Sequence, residues 1–117
     1  MSEIERFPGP VAGRSAATAY ENLVFTVATS PEKPSSMKEQ TAGALRQLDE
    51  RLALAGSDKT RLLSATVYIT DMSRKAEMDE AWTAWVDPAH PPQRACVCAG
   101  LEGPTLVEIT VVAVRKP

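Results

Sequence analysis

The chain has 117 residues, 44% of them hydrophobic and 24% charged, and its formal net charge is -2. That length predicts a single domain over residues 1–117, and the charge balance gives no electrostatic basis for binding nucleic acid. No apolar run approaches the ~18 residues of a membrane span, and the first residues lack the apolar core of a signal peptide, so we expect a cytoplasmic protein that does not contact membranes.

The N-terminal part of the sequence predicts short strands. Runs of β-prone residues cover 4–7, 15–20 and 23–29, and the Glu21-Asn22 pair between the last two runs is typical of a hairpin turn. A polar, proline-rich loop is expected over 31–36.

A first helix is predicted from Ser36 to about Ala55. Ser36 and Glu39 match a capping box, in which both side chains bind free N–H groups at a helix start. Apolar residues then recur every three or four positions, and Gly56 follows as a C-terminal cap. Gly43 costs a helix up to ~1 kcal/mol relative to Ala, which close packing on a sheet would explain. The opposite face is expected to be solvated and carries Lys38, Arg46, Asp49, Glu50 and Arg51.

The middle of the chain predicts a strand over 62–70 and then a second helix. Alternation gives the strand a mixed face, suited to an interface or a cavity lining, and an apolar face. The apolar face carries Leu63, Ala65, Val67 and Ile69. Asp71 is an N-cap candidate for the helix, which runs to about Val86. Its buried side is expected to carry Met78, Ala81, Trp82, Trp85 and Val86.

Two apolar runs near the C-terminus predict the last two strands, joined by a turn over 100–104. Arg94 shares one face of the first strand with Cys96 and Cys98, and Glu108 shares a face of the second with Thr110. If the strands pair with those faces aligned, a guanidinium and a carboxylate stand in an otherwise apolar patch. A lone buried carboxylate is costly, so these two groups are functional candidates. The alternative is a structural ion pair between them.

The order of strands, helix, strand, helix and two strands predicts an α+β fold. Two helices would cover one face of a mostly antiparallel sheet. Two cysteines and a single histidine cannot complete a usual zinc site, so we expect no metal. We expect Cys96 and Cys98 to be small buried hydrophobes rather than nucleophiles.

With these residues in place, the sequence resembles the Rid family of reactive intermediate/imine deaminases, also called the YjgF family. The resemblance covers nearly the whole chain and depends on the order and spacing of several segments together. These segments are AGSDK (55–59), ATVYITDM (65–72), WTAWV (82–86), HPPQRACV (90–97) and VEI (107–109).

The resemblance implies a chorismate-mutase-like (YjgF-like) sandwich assembled as a homotrimer, with three sheets around a central barrel and a ligand pocket at each subunit interface. It implies that Arg94 pairs with a substrate carboxylate, for which the forked guanidinium is suited. The backbone around Cys96 would help hold the reacting water or leaving ammonia, and Glu108 would activate that water. The implied reaction, without metal or cofactor, is hydrolysis of an imine or enamine to a carbonyl compound and ammonia.

Several positions depart from the family pattern. Arg14 falls where the family has a tyrosine, and Asp79 falls where it has an asparagine. Val27 and Ala28 replace a Ser-Gly pair, which removes a hydroxyl and adds bulk. If Arg14 points inward, two arginines in one pocket would suit a diacid or a larger acidic ligand. The site residues implied are then Glu108 as the catalytic group and, for substrate binding, Arg94, Cys96, Arg14 and Ala28.

Three functions stay open on these grounds. The first is hydrolysis of an imine or enamine that carries a carboxylate. The second is a tailoring enzyme on the same scaffold, which would catalyse cyclisation, condensation or addition on a carbonyl intermediate of a biosynthetic pathway; the changed pocket positions favour it. The third is a trimer that binds a small acid without turning it over.

Overall fold

The computed structural model describes residues 3–117. Its strands are β1 (Glu5–Pro8), β2 (Ser15–Tyr20), β3 (Leu23–Ala28), β4 (Leu62–Ile69), β5 (Gln93–Cys98) and β6 (Val107–Val114). Its helices are α1 (Met37–Leu54) and α2 (Lys75–Trp85). Within the described range, no helix combines the length and the apolar character needed to cross a membrane.

The strands form one sheet in the order β1-β2-β3-β6-β4-β5. Every neighbouring pair is antiparallel except β4 and β5, which are parallel. The expected mostly antiparallel sheet with two helices is therefore confirmed. The last two strands do not pair with each other, because β4 lies between β5 and β6. The chain crosses over through α2 after β4, and a strand that follows such a crossover returns parallel to the strand before it.

Helix α1 covers the sheet with one apolar stripe, as its periodicity predicts. The Ser36 side chain accepts a hydrogen bond of 3.1 Å from the Glu39 backbone N–H at the helix start. Met37, Leu45 and Leu48 are fully buried in the core shared with the sheet. Burying each of these side chains contributes roughly 1.5–3 kcal/mol. Beyond the helix Gly56 adopts φ of 79°, the left-handed conformation that suits a glycine C-cap.

A β-bulge changes the start of β4. Its register opposite β6 shifts between Leu62 and Ser64. The extra residue shifts the inward–outward alternation of side chains by one position. Leu62 is therefore buried, and Leu63 is half exposed, at 50%. The prediction that Leu63 faces the core is therefore wrong. From Ala65 onward the alternation follows the predicted pattern.

Strands β2 and β3 form the predicted hairpin but separate at its far end. Glu21 in the turn adopts φ of 53°, as tight hairpin turns require. The strands pair from Tyr20 with Leu23 as far as Ala17 with Thr26, although β3 continues to Ala28. The last residues of β3 therefore have no partner from β2, and an opening remains between the two strands.

Helix α2 packs beside α1 on the same face of the sheet. It follows a short 3₁₀ turn in which the Asp71 side chain accepts a hydrogen bond of 3.0 Å from the Ser73 backbone N–H. Met78 and Trp82 are buried, as predicted. Trp85 is half-buried at the end of the helix, and its indole N–H donates to the Asp49 carboxylate of α1.

Gly43 lies where α1 passes close to Ser30, the second residue after β3. A Cβ atom at this position would overlap Ser30 Oγ and lie 2.9 Å from Ser30 Cβ. We therefore expect Gly43→Ala to lower the free energy of unfolding by about 1–3 kcal/mol through overpacking, although alanine is favoured in a helix by up to ~1 kcal/mol.

Urea unfolding of the wild type and the variant measures this effect. The control is Gly43→Ala combined with Ser30→Gly, which removes the overlapping side chain and should recover stability. A Gly43→Ala protein more stable than the wild type would contradict the contact.

Candidate active site

Arg94 and Glu108 lie on opposite faces of the sheet. Arg94 is in register with Ala65, which is buried under the helices, and Glu108 is in register with Tyr68. Residues directly paired across strands share a face, and Ala65 and Tyr68 are three positions apart, so they point in opposite directions. The expected patch with both groups therefore does not form within one chain.

Arg94 sits at the outer edge of the sheet, because β5 is the last strand. Its Nη2 donates to Asp79 Oδ1 at 2.7 Å, and its guanidinium carbon lies 5.4 Å from the centre of the Trp82 ring. The Arg94 side chain is 20% exposed. The structural ion pair of Arg94 with Glu108 does not form, since Asp79 takes that role. An arginine has five N–H donors, so Arg94 keeps donors for an incoming carboxylate.

Asp79 is held by two cations. Besides Arg94, Lys75 Nζ donates to Asp79 Oδ2 at 2.8 Å. Partial burial acts to raise the pKa of Asp79, but the hydrogen bonds from Lys75 and Arg94 outweigh it and hold the pKa below its usual value. Asp79 is therefore ionised at neutral pH and fixes the position of the Arg94 side chain.

The two cysteines have different surroundings on β5. Cys96 is half-buried and Cys98 is exposed, and both are free thiols. Burial raises the pKa of the Cys96 thiol, and the nearby positive charge of Arg94 does not compensate. The Cys96 thiol is thus protonated at neutral pH and a weak nucleophile. The expectation of burial is wrong for Cys98, because an edge strand leaves its outer end uncovered.

Glu108 lies at a cavity of about 270 Å³ beside the opening between β2 and β3. Three of the candidate site residues predicted from the sequence line it, namely Arg14, Ala28 and Glu108. The lining includes Arg14, Val27, Ala28, Gln47, Arg51 and Glu108.

Helix α1 supplies two polar side chains to this cavity. Arg51 Nη1 donates to the Val27 carbonyl oxygen at 2.6 Å, and the Gln47 side-chain oxygen accepts a hydrogen bond of 3.1 Å from the Thr29 N–H. The Val27 carbonyl is within reach because β2 does not pair with the end of β3. Arg51 was predicted on a solvated face, and that prediction is wrong. The available sequence signal was weak: Gln47 and Arg51 are four residues apart, so they share a helix face.

The cavity concentrates positive charge. Burial lowers the pKa of the Arg51 guanidinium, and the neighbouring charge of Arg14 lowers it further. Within residues 3–117, neither arginine forms a salt bridge, and Glu108 forms none either.

The sheet face away from the helices carries a second, larger cavity of about 630 Å³. Ser64, Thr66 and Thr110 line it together with apolar residues such as Val112, which matches the mixed strand face predicted from the sequence. In the described part of the chain, no three His, Cys, Asp or Glu side chains are grouped to hold a metal ion.

Comparisons with known proteins agree with one another. A model of the family described as Endoribonuclease L-PSP matches residues 5–115. A RutC family protein of Haemophilus influenzae is 36% identical over 107 residues, which cover 89% of this chain and 92% of that protein. The crystal structure of NMB1025, a member of the YjgF protein family from Neisseria meningitidis, superimposes with a TM-score of 0.92 at 38% identity, covering 98% of this chain and 97% of that one.

A more distant relative is named for an activity. The Escherichia coli protein "Putative reactive intermediate deaminase TdcF" is 28% identical over 123 residues, covering 97% of this chain and 95% of that protein.

The Asp79–Arg94 pair gives a pH-dependent contribution to stability. The pKa of Asp79 is lower in the folded protein than in the unfolded chain, so the contribution is present above the unfolded value of about 3.9 and is lost as the pH falls through the folded pKa. We expect Asp79→Asn to lower the free energy of unfolding by up to about 1 kcal/mol at pH 7, since the pair is partly solvated.

Urea unfolding at pH 7 and at successively lower pH values measures the difference. The two proteins should become equally stable at acid pH, once the Asp79 carboxyl is protonated. A constant difference at every pH would contradict the ionic origin of the effect.

Proposed function

Because the chain belongs to the YjgF/RutC family, we propose that it hydrolyses imines or enamines that carry a carboxylate. One observation carries the proposal. Arg94 at the sheet edge and Glu108 at a cavity each lie where a small molecule can reach them, and the sequence resemblance implies a functional role for both. The name of the relative TdcF supports the same reaction class.

We propose that the working protein is a homotrimer with a pocket at each subunit interface. Arg94 and Glu108 point to opposite faces of one sheet, so a second chain is needed to bring them together. The face away from the helices also exposes three large apolar side chains, Tyr20, Leu23 and Phe25. Contiguous exposed apolar surface of this kind is typical of an interface. In the proposed trimer, the β5 edge of one chain meets the Glu108 cavity of the next.

The chemistry needs an anchor and a proton carrier. Arg94 binds the substrate carboxylate through the donors that Asp79 leaves free. The Glu108 carboxylate accepts a proton from water as the water oxygen bonds to the imine carbon, and the imine nitrogen takes a proton from solvent. The carbon–nitrogen bond then breaks. Glu108 gives its proton to the departing nitrogen and the new hydroxyl group releases its own proton to solvent, which leaves the carbonyl compound and ammonia. An enamine is first protonated on carbon to form the imine.

The β5 backbone around Cys96 has a supporting role in this proposal. Its peptide groups lie next to Arg94 on the edge strand, where they can hold the reacting water or the leaving ammonia. The Cys96 thiol takes no part, because its pKa is raised by burial. Asp79 fixes Arg94 but also competes with the substrate carboxylate for it.

We expect the protein to accelerate ammonia release from imines that an amino-acid oxidase generates from a panel of amino acids. Glu108→Gln should lower the rate by about 10²-fold or more, the range typical of a lost general acid–base group. Arg94→Ala should mainly raise KM, because it removes the anchor. Glu102→Gln, a change in an exposed loop carboxylate, is the matched control and should leave the rate unchanged.

Full activity of Glu108→Gln on every imine would contradict the proposal. If the wild type accelerates ammonia release from none of the imines, the proposal is wrong, and the two alternatives are the tailoring enzyme and the acid-binding trimer without turnover. Because the matching family carries the description of an endoribonuclease, the same preparations are also incubated with RNA. Cleavage of RNA, with no effect on imines, would likewise overturn the proposal.

A further inference from the structure

We propose that Arg14 and Arg51 form a second anion-binding subsite next to Glu108, and that the preferred substrate is an imine or enamine of a dicarboxylate. The inference rests on the proposed function, since it names the substrate class of that site. One carboxylate would bind Arg94 of a neighbouring chain, and the other would bind the two arginines of the cavity.

The position of Arg51 is fixed by the fold. The opening between β2 and β3 leaves the Val27 carbonyl without a strand partner, and Arg51 Nη1 donates to it at 2.6 Å. This hydrogen bond holds the guanidinium at the cavity and uses one of its five N–H donors. No buried side-chain polar atom of the described chain lacks a partner, so the remaining donors of Arg51 face solvent or the cavity.

The charges in the cavity are unbalanced. Two guanidinium groups and one carboxylate, that of Glu108, line it, and none of the three forms a salt bridge within residues 3–117. Burial together with the charge of Arg14 disfavours the charged form of Arg51 and lowers its pKa. A bound anion would offset both effects. The forked donors of arginine match the two oxygens of a carboxylate, which makes a second carboxyl group the fitting partner.

The remaining lining also fits a small polar ligand. The Gln47 side-chain oxygen is engaged by the Thr29 N–H, which leaves the Gln47 amide nitrogen as a donor. Ser15 and Thr29 add hydroxyl groups to the lining. The cavity volume of about 270 Å³ leaves room for one carboxylate end of a small ligand.

The test compares two ligands that differ in one carboxylate. The affinity of the full-length protein is measured by calorimetry at low salt for 2-oxoglutarate and for 2-oxopentanoate, which has the same carbon chain without the second carboxylate. We expect the diacid to bind about tenfold more tightly or better, as for a charge-assisted pair of hydrogen bonds. Arg51→Gln and Arg14→Gln should each remove most of that preference.

One further variant serves as the matched control. Arg46→Gln changes an exposed arginine of the same helix that does not line this cavity, and it should keep the preference. Arg14 is exposed and lies in the loop before β2, so Arg14→Gln should fold normally and gives a result even if Arg51→Gln does not fold. Equal affinity of the wild type for both ligands, or a preference that survives Arg14→Gln, would overturn the inference.

Measuring ligand affinity and imine hydrolysis on the same variants distinguishes a failure of this inference from a failure of the proposed function. The oxidase assay is run with the imines of glutamate and norvaline. Hydrolysis of both imines at equal efficiency, without a diacid preference in binding, would overturn the subsite and leave the proposed function standing. A diacid preference lost in Arg14→Gln, without hydrolysis of either imine, would support the subsite and overturn the proposed function.

Discussion

Side chains alternate between the two faces of a strand, and this alternation separates Arg94 from Glu108. β4 lies between β5 and β6 and fixes the register of both. Moving either group to the other face would require a one-residue slip, which would bring the buried residues of that strand into solvent. Val107, Ile109 and Val111 are almost fully buried, so the orientation of Glu108 cannot change. A site that uses both groups therefore has to draw on two chains.

The opening between β2 and β3 determines which side chains line the cavity at Glu108. Where the two strands stop pairing, a helix residue can reach past the sheet, and Arg51 does so through its bond to the Val27 carbonyl. Arg14 lies in the loop before β2, just after Gly13, whose φ of 84° makes the turn. The cavity therefore combines a carboxylate from β6 with cations from the loop and from α1. Such a combination suits a substrate that brings its own negative charge.

The sequence predicted the elements well and their arrangement less well. The N-cap at Ser36 and the hairpin turn at Glu21 are local signals, and the structure confirms both. The second bond of the predicted capping box, from the Ser36 N–H to the Glu39 carboxylate, does not form in the described chain. The bulge that exposes Leu63 and the crossover that separates β5 from β6 depend on tertiary pairing, which periodicity does not contain. The position of Arg51 at the cavity was missed for the same reason, because its hydrogen-bond partner is the carbonyl of a residue 24 positions earlier in the chain. The roles of Arg94 and Glu108 came from resemblance and stay predictions.

A complementation experiment tests the two-chain pocket most directly. Arg94→Ala and Glu108→Gln chains are co-expressed with different tags, and heterotrimers of about 38 kDa, three times the 12.6 kDa chain, are isolated and assayed on imines. If each pocket takes Arg94 from one chain and Glu108 from another, every isolated heterotrimer contains one intact pocket among its three. At a substrate concentration too low for Arg94→Ala to turn over, activity then returns to about a third of the wild-type rate. Mixed trimers as inactive as the single variants would contradict the two-chain pocket.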